Sequence, residues 1–228
     1  MQSNLNTAYQ TTTLAGANKV LRDTYALLAV SLIPTIIGAG IGVNMSFAFL
    51  AGSGLLGFFL MLAGIYGLMF AIQANRYSNV GVALMLVFTF LMGVLLGPLL
   101  QFALHLRNGA QLIMVAGGGT ACVFFVMAGI ATTTKKDLSG LGKFLTAGAI
   151  VLIIAMIANA FLRMPALQLT IASAFILFSS LMIMWEVKNV VDGGERSHVA
   201  AALSIYISIY NLFTSLLQIL IALSGDRR

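Results

Sequence analysis

Residues Val80–Leu104, VGVALMLVFTFLMGVLLGPLLQFAL, contain no charged side chain. A helix rises about 1.5 Å per residue, so roughly 20 apolar residues cross a hydrocarbon layer of about 30 Å. This run is long enough to do so. It does not alternate apolar and polar residues with the period of two that a membrane barrel needs. In lipid, a helix satisfies every backbone N–H and C=O within its own segment. The stretch therefore reads as a transmembrane helix, and the same reading extends in both directions. Upstream lie Tyr25–Val43 and Phe47–Gln73; downstream lie Gln111–Thr133, Phe144–Leu162, Ala166–Glu186 and Val199–Leu223. The expected fold is an all-α membrane protein with seven transmembrane helices.

Composition agrees. Hydrophobic residues make up 60% of the 228 and charged residues 8%, with a mean hydropathy of +1.02. A soluble domain carries about 25% charged residues, and a disordered chain combines low hydrophobicity with high charge, so both classes are excluded. The net charge of +6 does not point to nucleic acid, because the cations sit singly or in pairs between apolar runs and form no basic stripe.

The cations set the orientation. Lys19, Arg22, Arg76, Lys135, Lys136, Lys143, Lys188 and Arg196 fall on the side of the amino-terminus; Arg107, Arg163, Arg227 and Arg228 fall on the other. Eight against four makes the first side cytosolic and the carboxy-terminus periplasmic. Residues 1–18 are polar and uncharged, with no basic start before a short apolar core. They read as a disordered cytosolic tail and not as a signal peptide. Residues 19–228 then form the seven-helix domain.

Chemistry-bearing residues are few. His105 and His198 lie at no metal-ligand spacing from Cys, Asp or Glu, and Cys122 is alone in an apolar run. Metalloprotease, nucleophile-elbow and P-loop patterns are missing, and the last span has no lysine for a retinal Schiff base. No metal, cofactor or catalytic activity is expected. The twelve methionines read as packing and not as copper ligands. Gly117, Gly118, Gly119 and Thr120 mark the fourth span as a place for close helix approach. Pro34 and Pro98 each remove a backbone donor and are candidate kinks.

One carboxylate ends an apolar run: Glu186, after Trp185 and before Lys188. Two readings stand for it. It snorkels to the interface beside Trp185, or it is a protonatable group facing the bundle interior. Arg76, closing the second span, is a candidate partner. In the last span Ser208, Asn211, Ser215 and Gln218 are three, four and three residues apart and so share one helix face, with Tyr206 and Tyr210 nearby. A polar stripe on an apolar helix faces protein or water.

Three passages together resemble the Bax inhibitor-1 family. Thr133-Thr134-Lys135-Lys136-Asp137-Leu138-Ser139-Gly140-Leu141-Gly142 is similar to that family's segment after the fourth span, so Lys136, Asp137, Ser139 and Gly142 are family-motif positions. Trp185-Glu186-Val187-Lys188-Asn189-Val190 resembles the end of its sixth span, and Ile205-Tyr206-Ile207-Ser208-Ile209-Tyr210-Asn211-Leu212-Phe213 its seventh. The resemblance implies six helices around a central C-terminal one. For a bacterial member it implies an inner-membrane protein that restrains the membrane-anchored AAA+ protease FtsH by association. The alternative it implies is a pH-sensitive calcium or cation leak, with calcium or protons as the mobile partner. In leak members two aspartates of the sixth and seventh spans form the sensor. Glu186 keeps the first carboxylate here and Ser208 replaces the second, so a pair sharing one proton is not available. A lone carboxylate also offers little to calcium, which takes six to eight oxygens. Along this route the candidate ion path is Glu186, Ser208, Asn211 and Arg76.

Overall fold

A computed structural model describes residues 2–47 and 54–225. Part of the expected second span, residues 48–53, and the tail pair Arg227 and Arg228 lie outside the described residues. The described secondary structure is helical, with no strand among the described residues: α1 (Gln2–Asn44), α2 (Gly54–Ala74), α3 (Asn79–Leu95), α4 (Gly97–Leu104), α5 (Gly109–Thr133), α6 (Ser139–Leu162), α7 (Pro165–Val191) and α8 (His198–Gly225). Six stretches are long and apolar enough to cross a membrane: Asn18–Asn44, Asn79–Leu104, Gly109–Thr133, Gly140–Leu162, Pro165–Val191 and His198–Gly225. The shorter apolar helix Phe59–Ala74 stands where the second span was expected and completes seven.

Two differences from the sequence reading concern helix ends. The polar segment read as a disordered tail is helical from Gln2, continuous with the first span. Once a helix is nucleated, each further residue adds one hydrogen bond for one residue fixed, and no proline interrupts residues 2–18. The third span is broken at Leu96, between α3 and α4. Pro98 lacks an N–H and its ring crowds the preceding turn, so the ladder restarts beyond it. Pro34, by contrast, sits inside an unbroken α1.

The chain divides into two compact units, Met1–Phe102 with Glu195–Leu203, and Ala103–Gly194 with Ser204–Arg228. In the first, α1 packs on α3 and α2 packs on α3. Glycines allow the α1–α3 contact. Gly38 and Gly42 are one turn apart on α1, and Gly93 and Gly97 are spaced alike on the facing strand of chain. A Cβ at Gly38 would meet Phe90 O, one at Gly42 would meet Val94 O, and one at Gly93 would meet Thr35 O. Backbones this close leave no room for side chains, which is how helices without a hydrophobic drive between them gain packing in lipid. Gln101 on α4 completes the contact: its Nε2 donates to Gly42 O at 3.1 Å, Val43 O at 2.9 Å and Met45 O at 2.9 Å, capping carbonyls left open where α1 ends.

In the second unit, α7 packs on both α5 and α6. The close approach expected at the Gly117–Gly119 run is not found there. Among the described residues, nothing lies within 4 Å of a Cβ placed on Gly117 or Gly118, and Gly119 would only touch Leu216 Cδ1 at 3.5 Å. Small residues permit approach but do not by themselves choose the facing helix; of this group only Thr120 is buried. Gly142 on α6 does serve that purpose, since a Cβ there would lie 2.8 Å from the Trp185 indole Nε1.

Candidate functional site

The ends of α7 fix the site. Pro165 stands in the first helical turn, where its missing N–H costs nothing. At the other end Gly193 takes φ +77°, and the N–H groups of Gly193 and Gly194 close on Val190 O at 3.0 Å and Asn189 O at 2.8 Å. This glycine-terminated cap stops the helix five residues past Glu186 and turns the chain back toward α8.

Glu186 is buried, at 7% exposure. Ser204, on α8, donates to Glu186 Oε1 at 2.5 Å. Ser208, one turn further along α8, is also buried, and its hydroxyl donates back to Ser204 O at 3.0 Å. Nearby on α7, Lys188 is buried and its Nζ lies 2.6 Å from Asp192 Oδ1, one turn away. Ser179, two turns before Glu186, has a buried hydroxyl with no hydrogen-bond partner among the described residues. The structure therefore gathers Glu186 with Ser204, a residue the sequence reading passed over. The signal was available: Ser204 precedes Ser208 by one helical turn and extends the same stripe.

Arg76 takes a different carboxylate from the one expected. Its Nη1 lies 3.8 Å from Glu195 Oε2, and its guanidinium lies 5.0 Å from the centroid of the Tyr77 ring. The Arg76 carbonyl accepts from Ser197 Oγ at 2.6 Å, and Ser197 Oγ in turn accepts from Ala200 N at 3.1 Å as the N-cap of α8. Glu195 Oε1 receives the N–H groups of Arg196 and Ser197 at 2.8 and 2.7 Å. Arg76 thus anchors the entry to α8. The family-motif loop is exposed at Lys136 and Asp137; the Ser139 side chain lies outside the described residues.

The rest of the α8 stripe meets a cavity of about 510 Å³. Asn211, Thr214, Ser215 and Gln218 line one wall, facing Asn159 and Arg163 of the α6 end and Gln168 of α7. Met156, Ile171 and Phe175 supply apolar wall. Gln168 Nε2 lies 3.5 Å from Gln218 Oε1, a long contact. Arg163 caps α6 in the left-handed region at φ 52°, the only non-glycine residue with positive φ among the described residues. Its N–H donates to Asn159 O at 2.7 Å, and Asn159 Oδ1 accepts from Met164 N at 3.1 Å.

These features define a multi-pass, all-α membrane protein with a buried carboxylate and a polar cavity in its last three spans. Residues 17–225 match the family described as inhibitor of apoptosis-promoting Bax1. The chain belongs to the Bax inhibitor-1 family. It is 53% identical over 211 residues to a protein of Neisseria meningitidis serogroup A, across 92% of this chain and 93% of the relative. It is 40% identical over 222 residues to the Escherichia coli K12 protein named modulator of FtsH protease YccA, across 97% of this chain and 98% of the relative. The same protein of another E. coli strain is named inner membrane protein YccA. A Pseudomonas aeruginosa relative is 41% identical across 91% of this chain. The chain is accordingly a multi-pass inner-membrane protein.

Proposed function

We propose that the protein restrains the membrane-anchored protease FtsH by direct association, as a regulator and not an enzyme. The observation that carries this reading is end-to-end likeness to a relative named as a modulator of that protease. The amino-terminus is the part offered to the protease. Helix α1 starts at Gln2 and its membrane-crossing part begins at Asn18, so residues 2–17 extend the helix beyond the span by about 24 Å. This extension carries no charge and holds no apolar run long enough to bury itself. Its helix depends on propagation alone, so it unravels readily for a protease that threads chains. The orientation that goes with this puts the amino-terminus in the cytosol and the carboxy-terminus in the periplasm, a reading supported by the eight-to-four cation bias. The test is FtsH proteolysis of a membrane substrate with the full chain and with residues 2–17 deleted. Relief of restraint in the deletion, with the protein still inserted and bound in pull-down, supports the handle. Undiminished restraint places the contact within the spans instead.

A second reading, a pH-sensitive cation leak, is favoured by one observation: Glu186 is a buried carboxylate at the end of a span. Ser204 is its hydroxyl partner, and no second carboxylate lies at Ser208. No group of three or more His, Cys, Asp or Glu gathers among the described residues, so calcium there draws most of its oxygens from water and carbonyls. Liposome flux across pH 5 to 8 separates the readings. Flux abolished by Glu186→Gln, with protease restraint intact, assigns the leak to Glu186; no wild-type flux leaves association alone.

A further inference from the structure

The cavity of about 510 Å³ lies wholly within the second unit, between α6, α7 and α8. Its polar lining is uneven. Among the described residues, Arg163 is the one charged residue on the wall; the other polar ones are amides and hydroxyls, and none is a carboxylate. The ion pairs Arg22–Asp23, Arg76–Glu195 and Lys188–Asp192 lie elsewhere, and none involves Arg163. A cation would find no counter-charge on this wall and would face the exposed Arg163 guanidinium. An anion would find its partner in place.

The backbone at Arg163 argues that its position is held for a purpose. A left-handed cap after a helix is ordinarily glycine, because only glycine takes positive φ without a Cβ clash. Keeping arginine at φ 52° sets the side chain at the cavity mouth at a cost in strain, and strain of this kind collects at binding sites. Asn159 helps: its Oδ1 is used by Met164 N, which leaves the amide N–H groups to donate into the cavity. Behind this mouth the cavity continues along α7 from Pro165 to Phe175, about 15 Å into the membrane-crossing segment. Ile171 and Phe175 are apolar there, while Asn211 and Ser215 stay polar at a depth where lipid offers them no partner.

We propose that this cavity is a phosphate-binding site, with Arg163 as its cation and Asn159 as a donor beside it. A guanidinium matches phosphate oxygens in a fork of parallel hydrogen bonds. The same phosphate chemistry belongs to an anionic phospholipid headgroup, whose acyl chain would follow the Ile171–Phe175 wall, and to free phosphate from the aqueous side.

The test uses the detergent-purified full chain, stripped of lipid, with phosphatidylglycerol and inorganic phosphate as probes and native mass spectrometry and calorimetry as readouts. Arg163→Gln removes the cation; Arg163→Gly removes it while suiting the positive φ, so it separates binding from folding; Arg107→Gln is the control away from the cavity. The expected result is one phosphatidylglycerol per wild-type chain, bound at least tenfold more weakly by both Arg163 variants and unchanged in Arg107→Gln. Displacement of that lipid by inorganic phosphate, or Arg163-dependent binding of inorganic phosphate alone, identifies free phosphate as a sufficient ligand. Lipid that phosphate does not displace identifies the headgroup with its chain. Equal binding by wild type and both Arg163 variants, or no binding of either probe, overturns the proposal.

Discussion

The polar stripe of α8 solves one problem in two ways. Toward the start of the helix, Ser204 gives its hydroxyl to Glu186 and Ser208 gives its own to the Ser204 carbonyl. Both bonds close within protein, and Glu186 and Ser208 are buried. Toward the far end, the half-buried Asn211 and Gln218, with the buried Ser215 between them, line a cavity whose wall includes Arg163. The residue types are alike and the periodicity is unbroken, yet one half is sealed and the other asks for water or a ligand. Polarity in a membrane helix is therefore not one signal. Its meaning is set by what the neighbouring helices bring: a carboxylate from α7 in the first case, a cationic turn after α6 in the second.

The sharpest difference between the halves should appear in stability. Ser204→Val takes one hydrogen-bond donor from a buried carboxylate, a loss of about 1–3 kcal/mol. Reversible unfolding in mixed micelles measures this; a loss below about 0.5 kcal/mol, the range of ordinary surface changes, would mean the first half is not sealed as described. A smaller effect of opposite sign is expected at the open half. Arg163→Gly releases a left-handed arginine, whose strain is about 1–2 kcal/mol, though glycine returns part of that as chain entropy. The variant should be as stable as wild type or slightly more so by the same unfolding measurement. A clear loss would show that the arginine side chain supports the fold and is not held there for a ligand. The smallest effect belongs to Gln218→Leu. Its contact to Gln168 is long and faces an open cavity, so stability should change by no more than about 0.5 kcal/mol. A cost as large as that of Ser204→Val would erase the distinction between the halves.

How much of this was legible in the sequence depends on range. Spans are a local property: a run such as Val80–Leu104 carries its own evidence of length and hydropathy, and the helices follow it within a few residues. The family motifs were legible for the same reason. Pairings were not. Arg76 lies in a turn, and its carboxylate, Glu195, comes from a segment more than a hundred residues later. Small residues gave the right principle at the wrong address. The run Gly117–Gly119 drew attention by its density, while the glycines that admit a neighbouring backbone, Gly38 and Gly42 against Gly93 and Gly97, are spread one turn apart in two separate spans. Gln101 drew no reading, because nothing local in the chain names its acceptors at the end of α1. Arg163 counted only toward topology, because nothing in a linear chain announces that a helix will end on an arginine at positive φ.

The direct test of the divided stripe is water access along α8. Single cysteines at positions 208 and 218, in a background carrying Cys122→Ser, are exposed in membranes to a water-soluble, membrane-impermeant thiol reagent. The account predicts rapid labelling of Gln218→Cys, which is half-buried on the cavity wall, from the face that holds the Arg163 turn, and almost none of the buried Ser208→Cys. Equal labelling at the two positions, or none at 218, would contradict it.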